Sequence, residues 1–186
     1  MPRLFVALDL PEQVRVRLQI LCGGVPGANW VRPESLHLTL RFIGEVDGGT
    51  GHDIDTALIG ISVSSFDLSL AGVGAWESKG RASALWVGVD KNPALNHLQA
   101  KIESALVRIG LEPEQRKFSP HVTLARLKDA PVSRIGAFLG AHGLFRLEPF
   151  RVEGFVLYSS FLSRSGAIYT PEAHYPLRAA ADARVQ

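Results

Sequence analysis

Two stretches of the chain alternate apolar and polar residues and begin in the same way. HLTLRFIGEV starts at His37 and HVTLARLKDA starts at His121. Residues two apart in a strand point to the same face, so each stretch predicts a strand with an apolar side and a polar side. The polar side carries His37 with Thr39 in the first strand, and His121 with Thr123 in the second.

Each of these strands is preceded by a similar series of predicted elements. LFVALDLP begins at Leu4 and LWVGVDKNP begins at Leu85, and both run from a short apolar strand through Asp and Pro into a helical pattern. The first helix is predicted from Pro11 to about Cys22, with Asp9 as a candidate cap. The second helix has one apolar face, made of Leu95, Leu98, Ile102, Ala105, Leu106 and Ile109.

The spacing of the elements indicates an internal duplication. Leu4 precedes His37 by 33 residues, and Leu85 precedes His121 by 36. The order strand, helix, loop, His-strand therefore occurs twice, as a two-copy repeat and not as a solenoid. Two similar halves related by a pseudo-twofold axis are expected to bring the equivalent strands face to face across a cleft.

The remaining patterns predict further elements of an α+β fold with antiparallel pairing. A helix is expected over residues 52–59 and strands over 66–73 and 85–89, while GEVDGGTG is interpreted as a turn. FVLYSSF and AIYTPEAHYPL, with a turn at 164–166, predict a C-terminal hairpin that extends one of the sheets. We expect one domain over residues 1–178 and a C-terminal tail over 179–186.

The doubled motif brings together groups suited to acid–base chemistry on a phosphodiester. A histidine titrates near neutral pH, so one imidazole can accept a proton while the other donates one. Two threonine hydroxyls can donate hydrogen bonds to the phosphoryl oxygens. The pattern does not say which histidine is the acid. Two histidines without Cys, Asp or Glu at ligand spacing are too few to hold a metal, so no metal or cofactor is expected.

Composition places only weak limits on the substrate and on the compartment of the protein. The formal net charge is +2, and arginine supplies 15 of the 20 basic residues, so a polyanionic substrate is permitted but not required. Cys22 is the single cysteine, which fits a reducing compartment. No stretch approaches the roughly 18 apolar residues that a membrane helix needs. With no signal-peptide pattern at the N-terminus, a cytoplasmic protein without membrane attachment is expected.

The two motifs resemble the paired His-x-Thr-x signatures of the 2H phosphoesterase superfamily. The similarity extends over about residues 3–178 to the bacterial and archaeal RNA 2′,3′-cyclic phosphodiesterases, historically called 2′-5′ RNA ligases. It is carried by RLFVALDLP, WVRPESLHLTLRFIGEV, FSPHVTLAR and YSSFLSRSGAIYTPEAHYPL. The four motif positions show no departure from the family pattern.

The resemblance implies a bilobal α+β fold with the active site in the cleft between the lobes. It implies hydrolysis of the 2′,3′-cyclic phosphate at an RNA end, or of small cyclic nucleotides, to a 2′-phosphomonoester. His37 would be the proton donor to the leaving 3′ oxygen and His121 the proton acceptor that activates water. Thr39 and Thr123 would bind the phosphate.

Further substrate contacts are expected from residues near the motifs. The resemblance implies that Arg126, five residues after His121, faces the ligand. Phe42 holds the equivalent position in the first motif, where strand parity favours the core over stacking on a base. Arg41 shares the parity of His37 and is a weaker candidate for anion contact. Candidates further from the motifs are Tyr169 and Ser160 of the hairpin and Trp30, which could equally anchor its loop.

Two alternative functions remain open. The same four motif residues could cleave linear 2′-5′ oligonucleotides or join RNA ends, because the proton transfers run in both directions. The protein could also be a non-catalytic module that binds nucleotides or RNA, although intact His and Thr in both motifs argue against this. A small enzyme with an internal cleft is expected to work as a monomer.

Overall fold

The computed structural model of the protein describes Met1 and residues 3–179. Nearly all of the predicted C-terminal tail, residues 180–186, lies outside the described residues. The described chain forms, in order, β1 (Arg3–Asp9), α1 (Glu12–Leu21), β2 (Ala28–Trp30), a 3₁₀ turn (Pro33–Ser35), β3 (His37–Glu45), α2 (Gly48–Ile59), β4 (Phe66–Leu68), β5 (Leu70–Ser78), β6 (Arg81–Val89), α3 (Pro93–Arg108), β7 (His121–Leu127), α4 (Val132–His142), β8 (Phe150–Val152), β9 (Gly154–Ser163) and β10 (Gly166–Pro176).

Eight of these strands form one sheet in which the paired strands are antiparallel. The strand order is β10-β9-β1-β3-β7-β6-β5, with β2 paired to the far end of β7. β4 and β8 form a separate two-stranded sheet. The predicted α+β class with antiparallel pairing is therefore confirmed.

The duplication is visible in the order of the elements. The series β1-α1-β2-β3-α2-β4-β5 is matched by β6-α3-β7-α4-β8-β9, except that no counterpart of β2 precedes β7 among the described strands. The halves also exchange their last strands, because β5 pairs with β6 and β9 pairs with β1. Each half of the sheet thus depends on a strand from the other half.

The two half-sheets meet edge to edge and not face to face as the sequence suggested. β3 and β7 are antiparallel neighbours through one registered pair, Leu38 opposite Val122. Both residues are fully buried, as are Leu40 and Leu124 to within a few per cent. They join the apolar faces of the helices in a single core. Each buried leucine contributes roughly 1.5–3 kcal/mol, so the core fixes which side of the strands faces outward.

Several predicted element boundaries were wrong. Asp9 does not cap α1, since Pro11 is the N-cap residue without a side-chain bond and the Asp9 carboxylate instead pairs with Arg15. GEVDGGTG is not only a turn, because Gly48, Gly49 and Gly51 lie in the first turn of α2, where the Asp47 carboxylate accepts a hydrogen bond from the Thr50 amide at 2.8 Å. The single strand predicted over 66–73 is two strands, β4 and β5. Helix α4 was not predicted.

The C-terminal hairpin was predicted correctly. β9 and β10 pair along their length, and residues 164–165 connect them. The hairpin extends the sheet beyond β1, on the side of His37. Its position matters for the site because Tyr158 and Tyr169 lie on it.

Candidate active site

The pairing of β3 with β7 places all four motif side chains on one face of the sheet. Leu38 lies opposite Val122, so the antiparallel register sets His37 beside Thr123 and Thr39 beside His121. Side chains on the same face of such a pair lie roughly 5–8 Å apart at their Cβ atoms. This separation is suited to holding one phosphate group among two imidazoles and two hydroxyls.

Both histidines are held in the same way. Nδ1 of His37 lies 2.7 Å from the Ser35 carbonyl oxygen, and Nδ1 of His121 lies 2.7 Å from the Ser119 carbonyl oxygen. Because a carbonyl can only accept, each Nδ1 carries the proton, and in the neutral ring Nε2 carries the lone pair. The carbonyl two residues before each histidine therefore leaves Nε2 as the atom available for proton transfer.

The surroundings of His37 disfavour its charged form. Burial lowers its pKa from the ordinary value of 6.5, and the positive charges of His121 and Arg126 act in the same direction. The hydrogen bond to Ser35 and the charge of Asp9 oppose this shift. An anion bound next to the ring would favour the imidazolium again.

A β-bulge in each motif strand changes which later residues face the site. Val6 pairs with Arg41 but Ala7 pairs with Thr39, so Leu40 is an extra residue in β3. The same irregularity leaves Leu124 as an extra residue in β7. A bulge reverses the face on which the following side chains lie.

The bulges correct two predictions made from strand parity. Phe42 was expected in the core, but its side chain is on the face of His37 and is 56% exposed. Arg41 was expected on the site face, but it is buried and only 8% exposed. Arg126 takes the position in β7 that Phe42 takes in β3, so an exposed cation and an exposed phenyl ring follow the two motifs.

The buried Arg41 connects β3 to the segment that leads into the second motif. Its guanidinium donates to the Glu103 carboxylate of α3 and to the carbonyl oxygens of Phe42 and Glu112. Glu103 also accepts a hydrogen bond from the Glu114 amide at 2.8 Å. In the other half, strand β2 ties the corresponding loop to β7 by backbone pairing. The loop before the second motif is therefore held by the Arg41 side chain, whereas the loop before the first motif is held by the pairing of strand β2.

Aromatic rings surround His37. Phe5 lies 5.0 Å from the imidazole, and Tyr169 meets it edge-on at 5.2 Å, both measured between ring centroids. Tyr158 stacks on Phe5 at 5.2 Å, and burial raises the pKa of its hydroxyl. Tyr169 therefore lies where the sequence placed it. Phe5 and Tyr158 were missed, because Phe5 was assigned only to the buried strand that contains it.

Two tryptophans that the sequence did not single out adjoin His121. Trp76 of β5 meets the imidazole edge-on at 5.3 Å, and Trp86 of β6 lies 6.3 Å from it. Trp86 occupies the position in LWVGVD that Phe5 occupies in LFVALD. Alignment of these two stretches was the signal that could have found Phe5 and Trp86.

A cavity of about 200 Å³ lies next to His37. It does not reach Thr39, His121 or Thr123, so it adjoins the four-residue site and is not the site itself. Most of the side chains that line the cavity are polar, and they include both acidic and basic residues. Its lining includes Phe5, Asp9, Arg15, Glu34, Ser35, His37, Tyr158, Tyr169 and His174.

Two weaker candidates are Trp30 and Ser160. Trp30 packs against Phe138 of α4 at 5.9 Å, as expected of a residue that anchors its loop. Ser160 lies directly opposite Tyr169 in the hairpin. Among the described residues, no group of three or more His, Cys, Asp or Glu side chains is placed to hold a metal ion.

Two matched halves, each presenting a histidine and a threonine on one face of a joined sheet, define a two-histidine phosphoesterase. A family model described as LigT like phosphoesterase matches the chain twice, at residues 8–86 and 87–169. Each match contains one His-x-Thr motif. The chain belongs to the LigT-like phosphoesterase family, as its resemblance to the 2H superfamily predicted.

Relatives and solved structures agree with this assignment. The RNA 2′,3′-cyclic phosphodiesterase of Aeropyrum pernix is 35% identical over 173 residues, 92% of this chain and 97% of that protein. The enzyme of the same name from Escherichia coli K12 is 30% identical over 179 residues, 94% and 96% of the two chains. The crystal structure of TT0787 from Thermus thermophilus has a TM-score of 0.80 and 26% identity, covering 95% and 98%. E. coli LigT complexed with 3′-AMP has a TM-score of 0.77 and 29% identity, covering 95% and 99%.

Proposed function

We propose that this enzyme hydrolyses the 2′,3′-cyclic phosphodiester at the end of an RNA, or of a small cyclic nucleotide, to a 2′-phosphomonoester without a metal. The observation that carries the proposal is that His37 and His121 make the same hydrogen bond from Nδ1 to a backbone carbonyl oxygen. Each Nδ1 donates to a carbonyl oxygen at 2.7 Å, which leaves the lone pair of the neutral ring on Nε2; in the free protein Nε2 of His37 accepts from the Thr39 hydroxyl at 3.0 Å until substrate replaces that bond. The names of the relatives supply the substrate class.

The reaction divides the two histidines by role. His121 accepts a proton from water through Nε2, and the water oxygen attacks phosphorus. The bond from phosphorus to the 3′ oxygen breaks, and that oxygen takes a proton from Nε2 of His37. These are the roles that the resemblance to the family implies for the two histidines. His37 has a lowered pKa in the free protein, so it becomes an effective donor only when the phosphate anion beside it restores the imidazolium.

The other polar groups hold the substrate during this reaction. Thr39 and Thr123 donate hydrogen bonds to the phosphoryl oxygens, and Arg126 adds a positive charge on the same face. The exposed ring of Phe42 and the edge of Tyr169 contact the base and ribose of the terminal nucleotide. These contacts are on the His37 side, where the leaving 3′ oxygen and its ribose must lie.

The position of the phosphate in the product tests this function. The protein is incubated with 2′,3′-cyclic AMP in the presence of EDTA, and the product is identified by chromatography against 2′-AMP and 3′-AMP. We expect 2′-AMP, with the rate unchanged by the chelator. Formation of 3′-AMP would contradict the assignment of the leaving oxygen, and loss of activity in EDTA would contradict catalysis by the histidines alone.

The proposal extends to the setting in which the enzyme acts. We propose a monomer in the cytoplasm, because the site is complete within one chain and the lone Cys22 fits a reducing compartment. Over the part of the chain that the structure describes, no helix has both the length and the apolar character needed to span a bilayer.

A further inference from the structure

The cavity beside His37 has no role in the hydrolysis proposed above. It lies where β3 begins, since Ser35 and His37 line it together with Asp9, the last residue of β1. Phe42 is five residues further along β3. Pockets that hold a whole small-molecule ligand measure roughly 300–1,000 Å³. At about 200 Å³, this cavity is too small for such a ligand and is suited to one part of a molecule that is anchored elsewhere.

The ribose of the terminal nucleotide directs one of its ends to this cavity. In ribose, C2′ is bonded to C1′, which carries the base, and C3′ is bonded to C4′, which carries C5′. A 2′,3′-cyclic end therefore has its base next to the 2′ oxygen and its C5′ next to the 3′ oxygen. The proposed mechanism puts the 3′ oxygen at His37 and the base at Phe42. C5′ and the chain that precedes it thus leave the ribose on the side of His37 that is away from Phe42, where the cavity lies.

Arg15 gives the cavity a hydrogen-bond donor for this preceding chain. Its guanidinium pairs with Asp9, and its Nε is buried without a hydrogen-bond partner among the described residues. A buried donor without an acceptor is costly, so an oxygen that enters the cavity and accepts from Nε is favoured. Arginine is well suited to phosphate oxygens because its donors match their geometry. The first phosphate that precedes a terminal nucleotide is the phosphodiester on its 5′ oxygen.

The charges around the cavity favour a phosphodiester over a free phosphate group. Asp9 and Glu34 are acidic. Arg15 is basic, and His174 becomes so when it is protonated. A phosphate monoester carries about 1.5–2 negative charges near neutral pH, whereas a phosphodiester carries one and is repelled less by the carboxylates. The ribose on the far side of the diester also has a 2′ hydroxyl, which can donate to Glu34.

We propose that this cavity binds the phosphodiester and the nucleoside that precede the cyclic end, with Arg15 as the donor to the phosphodiester. The inference rests on the proposed function and narrows its substrate, because an RNA chain is then preferred to a mononucleotide. The contacts lie away from the bonds that form and break. They should therefore lower KM and leave kcat little changed.

Three substrates with the same cyclic end test the subsite. They are 2′,3′-cyclic AMP, the same nucleotide with a 5′ phosphate, and the dinucleotide ApA ending in a 2′,3′-cyclic phosphate. Each of the longer two is mixed with 2′,3′-cyclic AMP, and their relative rates of consumption give the ratio of the kcat/KM values. We expect the dinucleotide to be preferred by about tenfold or more, the usual effect of one hydrogen bond to a charged group. The 5′ phosphate should gain much less, and separate steady-state kinetics should place the preference in KM.

Variants of helix α1 locate the contact. Arg15→Met keeps the length of the side chain but removes its donors, and it should abolish most of the preference for the dinucleotide. The variant also leaves Asp9 without its partner, but both substrates react at the same His37, so this effect cancels in the ratio. Arg17→Met removes the same charge from an exposed position of the same helix and should leave the ratio unchanged.

The possible failures are distinguishable. If the dinucleotide and 2′,3′-cyclic AMP are hydrolysed with equal kcat/KM, or if Arg15→Met keeps the wild-type ratio, the subsite is wrong and the proposed function stands. An equal gain from the 5′ phosphate alone would overturn the subsite in favour of a site for a terminal phosphate. If none of the three substrates is hydrolysed, the proposed function is wrong and the subsite is excluded with it.

Discussion

Nε2 of His37 lies 3.0 Å from the hydroxyl oxygen of Thr39 in the same motif. Because Nδ1 carries the ring proton, the hydroxyl donates to Nε2 in the neutral ring. The two groups that the proposal assigns to the substrate are therefore bonded to each other in the free protein. Substrate must break this bond, which frees the hydroxyl for a phosphoryl oxygen and Nε2 for the leaving oxygen.

This relationship predicts that the hydroxyl of Thr39, and not its volume, is required. Thr39→Val replaces the hydroxyl by a methyl group of similar size, and we expect kcat for 2′,3′-cyclic AMP to fall about 10²-fold, the usual cost of losing one such donor. Thr39→Ser keeps the hydroxyl and should stay within a few-fold of the wild type. Steady-state kinetics of both variants decide the matter, and a fully active Thr39→Val would remove Thr39 from phosphate binding.

The two histidines are predicted to be comparably important. Asparagine at either position can still donate to the carbonyl of Ser35 or Ser119 but cannot transfer a proton, so the fold should be kept. We expect His37→Asn and His121→Asn each to lower kcat by roughly 10²–10⁴-fold. The double variant should lose much less than the product of the two effects, because the residues act as a unit. Retention of most activity in either single variant would contradict the mechanism.

The lowered pKa of His37 predicts where activity falls as the pH rises. The donor must be protonated, and burial lowers its pKa below 6.5 in the free protein. The protonated fraction of His37 in the free enzyme should therefore fall at lower pH than in the substrate complex, so kcat/KM should decline at lower pH than kcat, because bound phosphate stabilises the imidazolium. A pH–rate profile with 2′,3′-cyclic AMP measures both limbs. Limbs at the same pH for both parameters would contradict this account.

Asp9 provides a directed test of that pKa. Its negative charge raises the pKa of His37, so Asp9→Asn should lower it further and move the high-pH limb of kcat/KM to lower pH. The asparagine oxygen can still accept from Arg15, the partner of Asp9. NMR titration of the His37 ring gives the pKa directly. Asp53→Asn in α2 changes the same net charge away from the site and should leave the limb in place.

How far the sequence predicts this protein depends on whether a feature follows a regular period. The repeats, the faces of His37 and His121 and the hairpin all follow alternation or equal spacing, and the structure has them as expected. The two bulges do not follow a regular period, because an extra residue in a strand reverses the face on which every later side chain lies. In β7 the adjacent buried pair Leu124 and Ala125 was a usable signal. In β3 the equivalent of Ala125 is Arg41, whose polarity concealed the reversal.

Arg41, which follows the bulge at Leu40 and is buried because of it, leads to a prediction about stability. The guanidinium is buried and pairs with Glu103, and it also serves two carbonyl oxygens. Removing one member of a buried pair leaves the other charge without its partner. We expect Arg41→Met and Glu103→Met each to lower the free energy of unfolding by about 3 kcal/mol, measured by urea denaturation.

The double variant and a surface pair show whether the burial of Arg41 is the cause. In Arg41→Met with Glu103→Met no charge is left unpaired, so its loss should be well below the sum of the single losses. Arg81→Met breaks an ion pair with Asp129 in which both side chains are exposed, and it should change stability by no more than about 0.5 kcal/mol. Additive losses in the double variant would mean that Arg41 and Glu103 stabilise the fold independently. The loop before His121 would then not depend on their pairing.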